Sequence, residues 1–258
     1  MSLRAVRRAV ALGLTLALCV VRFWLGHLRG RMTLVRRANW MRDSALMVMR
    51  SMGLKLRVEG TPPTHGMVVA NHLSYLDIVF LSAPMPCCFV AKAEIDRWPF
   101  FGKAARTGGT IFLDRGSRAS ANAVAATISE RLALAVPILL FPEGTTTDGS
   151  HMLPFRTRLI DPVTKAGAPI TAACVRYVLE DGTPERELCW YGDAAFLPHL
   201  WKVLGSAGFR AEVRFGEPRV YPDRRMAADV TQAEIAAMRN GDAVVTSYST
   251  VKRPEESF

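Results

Sequence analysis

The sequence predicts an α/β fold: a central mixed, largely parallel sheet flanked by helices, preceded by an N-terminal pair of amphipathic helices. Three observations predict it. Short runs that are apolar throughout, such as Val136-Pro137-Ile138-Leu139-Leu140-Phe141, read as strands covered on both faces, the habit of parallel sheets. Helical patterns alternate with those runs; in one of them Ala121, Val124, Ala125, Ile128 and Leu132 share a face that Glu130 and Arg131 avoid. The third observation is a charge boundary. Residues 1–58 hold 12 Lys/Arg and one acid, Asp43, for a net +11, while residues 59–258 hold 21 Lys/Arg against 22 Asp/Glu. The chain's net +10 therefore resides in its first fifth, and the rest is close to neutral.

At 258 residues the chain has room for one good-sized core and an appendage. Residues 1–52 are expected to form a membrane-associating helical segment, residues 53–240 the α/β domain, and residues 241–258 a polar tail. The N-terminal segment begins with Arg4, Arg7 and Arg8, then runs uncharged from Ala9 to Val21. Those 13 residues fall short of the roughly 18 that a comfortable membrane span requires. A cleaved signal peptide would need small residues after the run, where Arg22-Phe23-Trp24 stand instead. A helix lying in the membrane interface, its basic side chains reaching headgroups, fits best, with a single short span as the alternative. The pattern at 33–52 supplies a second amphipathic helix, and the two make a docking hairpin. Cationic residues interleaved with Leu, Val, Trp and Phe suit an anionic bilayer better than nucleic acid.

Strands in the body are expected at 67–70, 88–91, 110–113, 137–141, 170–177, 188–191 and 211–215. Helical stretches lie at 75–82, 99–106, 118–135, 194–204 and 226–239. Five cysteines, odd in number and without a CxxC pair, fit a reducing compartment and argue against a zinc site. Cys87 and Cys88 read as core.

Four constellations occur at strand ends, where an α/β sheet gathers its site. In Asn71-His72-Leu73-Ser74-Tyr75-Leu76-Asp77 a histidine precedes an aspartate by five residues across a strand-to-helix turn, so the carboxylate can orient the imidazole and stabilise its protonated form. Ser74-x-x-Asp77 is equally a capping box for the next helix. Gly109-Thr110-Ile111-Phe112-Leu113-Asp114-Arg115 ends a strand with an arginine suited to phosphate, and Phe141-Pro142-Glu143-Gly144-Thr145 ends another with a turn able to cradle an anion. Ala168-Pro169-Ile170-Thr171-Ala172-Ala173 is a proline-led core strand. Neither a Gly-x-Ser-x-Gly elbow nor metal-ligand spacing appears.

In order and spacing the four resemble the glycerophospholipid acyltransferase family typified by 1-acyl-sn-glycerol-3-phosphate acyltransferase, over roughly residues 53–221. Ala91-Lys92-Ala93-Glu94 and Trp98-Pro99-Phe100-Phe101-Gly102 resemble the family's stretch between its first two motifs. The resemblance implies a fatty acyl group moved from acyl-CoA or an acyl carrier protein to the hydroxyl of a lysophospholipid, by default 1-acyl-sn-glycerol-3-phosphate. By the same resemblance His72 is the general base and Asp77 its partner, and Arg115, Glu143, Gly144 and Thr145 hold the acceptor's phosphate or headgroup. Asn71, Lys92 and Lys103 are secondary candidates. No cofactor or metal is expected, and the place of action is the cytoplasmic face of the inner membrane. One departure bears on the acceptor. Phosphatidate-forming members continue the Glu-Gly-Thr turn with arginine, whereas this chain reads Thr146-Thr147-Asp148-Gly149, with Arg156 and Arg158 close enough in sequence to compensate. A lyso-ornithine lipid or other lysolipid is the alternative acceptor, and a non-catalytic membrane-binding homologue is the alternative from another class.

Overall fold

The computed structural model describes residues 2–98, 101–114 and 117–241. The expected polar tail after Gly241, Arg115, and the first two residues of the helix expected at 99–106 lie outside them. Seven strands, β1 (Lys55–Glu59), β2 (Met67–Ala70), β3 (Cys88–Lys92), β4 (Ile111–Leu113), β5 (Ile138–Leu140), β6 (Ile170–Leu179) and β7 (Phe209–Phe215), form one sheet in the order β1-β7-β6-β2-β5-β3-β4. Every neighbouring pair is parallel except β6 with β7. The mixed, mostly parallel sheet is thus as the apolar runs predict. Along β2, Val68 and Ala70 enter one core cluster while Met67 and Val69 enter the other, which is why a central strand carries no polar alternation.

Helices α1 (Leu3–Leu28), α2 (Leu34–Met52), α3 (Leu76–Ser82), α4 (Ala93–Asp96), α5 (Phe101–Thr107), α6 (Arg118–Leu132), α7 (Asp161–Lys165), α8 (Phe196–Gly205) and α9 (Arg224–Asn240) complete the described chain. Local chemistry ends several of them. Thr33 accepts the Arg36 N–H at the start of α2, and Gly53, at φ +68°, closes it in the left-handed conformation that glycine adopts without strain. Asp223 accepts from both Arg225 and Met226 N–H to start α9.

One expectation is corrected, and one strand is added. The segment 188–191 is not a strand: its Trp190 N–H donates 2.8 Å to the Leu73 carbonyl, so tertiary docking onto the loop after β2 replaces sheet pairing. Conversely β1, unpredicted, is an edge strand whose partner β7 lies some 150 residues away in sequence.

α1 runs unbroken through 26 residues, about 39 Å at the helical rise. Among the described helices it alone is long and apolar enough, by length and composition, to cross a membrane. Counting only uncharged residues underestimates it, because three of its four arginines, Arg4, Arg8 and Arg22, are engaged at the protein side. Arg4 and Arg8 donate to carbonyls of Leu204 and Ser206, and Arg22 pairs with Asp43 of α2. α2 lies alongside, with Trp40 Nε1 donating to the Cys19 carbonyl and Phe23 packed edge-on against Trp40. The opposite side of α1 is an exposed apolar stripe at three- and four-residue spacing, Val10, Leu14, Leu18, Val21, Leu25 and Leu28, preceded on the same face by the exposed Leu3 and Arg7. Ala5, Ala45, Met49 and Met52 share a core cluster with Phe80 and Phe209, so the hairpin and the sheet are packed as one body.

Candidate active site

The strand order determines what meets at the C-terminal end of β2. Its neighbours are β5, which delivers Phe141 and Glu143, and β6, which outruns β2 and delivers Val175 and Tyr177. Asn71, directly after β2, is a brace: its amide donates to the Val175 carbonyl at 3.0 Å and accepts the Val175 N–H at 2.8 Å. Both functions of this buried side chain are satisfied by β6.

His72 Nδ1 lies 2.7 Å from Asp77 Oδ2. The same oxygen accepts the backbone N–H of Leu73 at 2.7 Å and of Ser74 at 3.0 Å, and Oδ1 accepts the Tyr177 hydroxyl. The capping-box and the Asp–His readings are therefore both present, since one carboxylate closes the turn and faces the imidazole. Asp77 is fully buried, yet four donors surround it, the condition under which a buried carboxylate is tolerated. Burial and the Asp77 charge push Tyr177 well above the ordinary phenol range, so it stays a proton donor. Tyr177 escapes sequence reading because it sits inside a mostly apolar strand, 100 residues from its partner.

The imidazole is held from a second direction. The Phe141 ring stacks on it with centroids 3.8 Å apart and planes within 10°. Its backbone is held from a third: Glu143 Oε1 accepts the His72 N–H at 3.0 Å, and Oε2 accepts the Leu153 N–H at 2.9 Å. The buried Glu143 carboxylate thus faces inward and ties the loop after β2 to both ends of its own loop, so in this structure both its oxygens are taken by backbone N–H groups. Thr147 N–H donates to the His72 carbonyl, adding a further tie between the two loops. Gly144 takes φ +77° in the turn, and its N–H donates to the Phe141 carbonyl. Thr145, Arg156 and Arg158 are exposed, and the Arg158 guanidinium donates to Asn122 Oδ1 on α6 at 3.1 Å. Lys92 closes β3, which β5 separates from β2, and Lys103 is exposed on α5. With Nδ1 facing Asp77, Nε2 is the imidazole nitrogen directed away from the carboxylate. His72 keeps 18% of its side chain open to solvent.

An aromatic wall adjoins this group. Tyr75 packs against Phe196 (4.9 Å between centroids) and Trp190 (5.8 Å), and Phe101 and Trp98 join from α5 and the end of α4. Cys87 and Cys88 are buried, and burial raises both thiols, leaving them as core.

Burial raises Glu143 above the ordinary glutamate range, more than the Leu153 and His72 N–H groups lower it. The folded chain therefore holds this proton more tightly than the unfolded chain. The associated stability is fully present below the unfolded value and is lost as pH rises through the folded one. Replacing Glu143 with Gln removes that titration. The melting temperature of the native protein minus that of Glu143→Gln is expected to fall as pH rises from the ordinary glutamate value toward neutrality. A difference that stays flat across this range would show that Glu143 does not titrate with folding.

The acyltransferase family model matches residues 55–176, which run from β1 into β6 and include the loops after β2 and β5 that hold His72, Asp77 and Glu143. The lyso-ornithine lipid O-acyltransferase of Rhodobacter capsulatus is 39% identical over 196 residues, covering 74% of this chain and 71% of that protein. The 1-acyl-sn-glycerol-3-phosphate acyltransferase of Neisseria meningitidis is 31% identical over 202 residues, covering 76% and 79%. The fold matches that of the crystal structure of the 1-acyl-sn-glycerophosphate acyltransferase PlsC from Thermotoga maritima, with a TM-score of 0.56 at 17% identity over 96% of this chain and 100% of that one.

Proposed function

The chain belongs to the acyltransferase family, and from that premise we propose that it esterifies the free hydroxyl of a lysolipid at a membrane surface, taking the acyl group from a thioester. The observation that carries the catalytic reading is the imidazole fixed between Phe141 and a fully buried, four-times-bonded Asp77, with Nε2 directed outward. Nε2 takes the proton of the acceptor hydroxyl as its oxygen bonds to the thioester carbonyl carbon. When the C–S bond breaks, the thiolate leaves and receives that proton back from the imidazolium. Asp77 stabilises the cation formed in between. The donor is acyl-CoA or an acyl carrier protein. Glu143 serves the reaction by holding the His72 backbone, while Arg115 and the 144–145 turn are assigned to the acceptor headgroup.

For the acceptor we favour a lyso-ornithine lipid. Ornithine carries an ammonium group and no phosphate. In this chain the position after Glu-Gly-Thr is Thr146, and two residues on stands Asp148, whose carboxyl the Ser150 hydroxyl and N–H hold below the usual range. An ionised carboxylate here suits an ammonium and repels a phosphomonoester. The 39% identity to the Rhodobacter enzyme supports the same choice. A second reading, 1-acyl-sn-glycerol-3-phosphate, is favoured by the Neisseria relative and by the exposed Arg156, whose N–H donates to the Pro142 carbonyl beside the turn.

Purified protein given labelled acyl-CoA or acyl carrier protein, with each lysolipid in turn, tests this. Transfer to lyso-ornithine lipid is expected to exceed transfer to 1-acyl-sn-glycerol-3-phosphate, with products read by mass. The reverse order would establish the second reading, and no transfer with any pair would leave a lipid-binding homologue. Five free, buried thiols fit action at the cytoplasmic face. The bare stripe on α1, beside the cationic first 58 residues, is the assigned membrane contact.

A further inference from the structure

α8 packs one side against the body and leaves the other exposed, where Leu197 and Trp201 stand beside Lys202, itself paired with Glu187. Phe196, His199, Leu200, Val203 and Leu204 point inward. Phe196 and His199 there meet Tyr75, three residues after His72, by ring contact and by a 3.0 Å bond from the Tyr75 hydroxyl to His199 Nδ1. On the outer side Leu197 and Trp201, four residues apart and hence on one face, are 72% and 38% exposed. An outward leucine and tryptophan on a helix whose other side walls the catalytic loop have no role in packing the core.

α8 is also fixed to α1. Its last carbonyls, which a helix leaves without partners, are taken by α1 arginines: Leu204 and Ser206 accept from Arg8 at 3.1 and 2.8 Å, and Ser206 accepts from Arg4 at 3.0 Å. Ala5, fully buried, packs with Val203 and Leu204. The start of the bare α1 stripe and the end of α8 are therefore clamped together.

We infer that the outer face of α8 is a second membrane-inserting surface, continuous with the α1 stripe, which places the wall of the active site in the headgroup layer of the leaflet it contacts, where the acceptor lipid resides. This rests on the membrane-surface reading of α1. The occupant is an anionic bilayer, because the adjoining segment carries the chain's whole net positive charge, and tryptophan is the residue that settles at the headgroup boundary. A lipid diffusing in that layer then reaches His72 past Phe196 and Tyr75 without crossing water.

All five native cysteines are buried, so a cysteine introduced at an exposed position takes a nitroxide label selectively. Leu197→Cys and Leu18→Cys, the second on the α1 stripe, are each labelled in the full chain. Accessibility to oxygen relative to a polar nickel chelate is then measured with and without vesicles of phosphatidylcholine containing phosphatidylglycerol. Both ratios are expected to rise severalfold on adding vesicles. A rise at position 18 without one at 197 overturns the α8 surface and leaves the α1 reading standing. No rise at either overturns both. Shielding at 197 before vesicles are added, with spin–spin broadening, assigns the face to a second copy of the chain and also overturns the inference.

Discussion

Replacing His72 with alanine is expected to lower the transfer rate by about 10²–10⁴-fold, the usual worth of a positioned general base. The fold should survive the change. Asp77 keeps the Leu73 and Ser74 N–H groups and the Tyr177 hydroxyl, so the buried carboxylate remains bonded on both oxygens. Glu143 keeps the backbone N–H of residue 72, which the side chain does not supply. Vesicle binding should be unchanged, because the α1 stripe lies on the far side of α1 from the body. What remains is a slot between the Phe141 ring and Asp77, shaped for a flat heterocycle. Free imidazole is therefore expected to restore part of the lost rate. Thiol release from acyl-CoA in the presence of lysolipid measures both effects. Undiminished turnover in the alanine variant would remove His72 from the base role, and a slow variant that imidazole leaves slow would point to a structural loss.

Much of this site was legible because its parts lie close in sequence or end apolar runs. His72 and Asp77 are five residues apart across one turn, so spacing alone brings them within reach. The runs at β2, β5 and β6 are apolar on both faces because helices cover both, and that local pattern implies a parallel sheet. The misread elements are those whose reason is distant. β1, with three of its five residues exposed, has little local signal, and its order comes from β7. The Leu-Cys-Trp-Tyr run at 188–191 has the composition of a strand, but its backbone is spent on the loop after β2. The tie made by Glu143, which sits in an anion-cradling turn, had no local signal either. Its partner, the His72 N–H, is 71 residues earlier, and only the rule that a buried carboxylate must find donors hints at it. α1 was underestimated because a charge was counted as an interruption, without knowing that Arg4, Arg8 and Arg22 reach back to the protein.

Asp77→Asn separates charge from geometry. Three N–H donors converge on Oδ2 and one hydroxyl on Oδ1, so the amide has one acceptable orientation, with its oxygen toward His72, Leu73 and Ser74. Turned the other way, its NH₂ would face three donors. In the acceptable orientation the NH₂ meets the Tyr177 oxygen, and the tyrosine hydrogen must turn elsewhere in a buried site, which costs stability but not the turn. His72 therefore keeps Nδ1–H bonded and Nε2 free to act, while the negative charge that stabilises the imidazolium is gone. The rate is expected to fall by about 10²–10⁴-fold, no further than in His72→Ala, because Asp77 acts only through the imidazole. The double variant His72→Ala/Asp77→Asn should then be no slower than His72→Ala alone. If instead the two losses multiply in the double variant, Asp77 has a catalytic contribution independent of His72, and the base-and-orienter assignment is wrong.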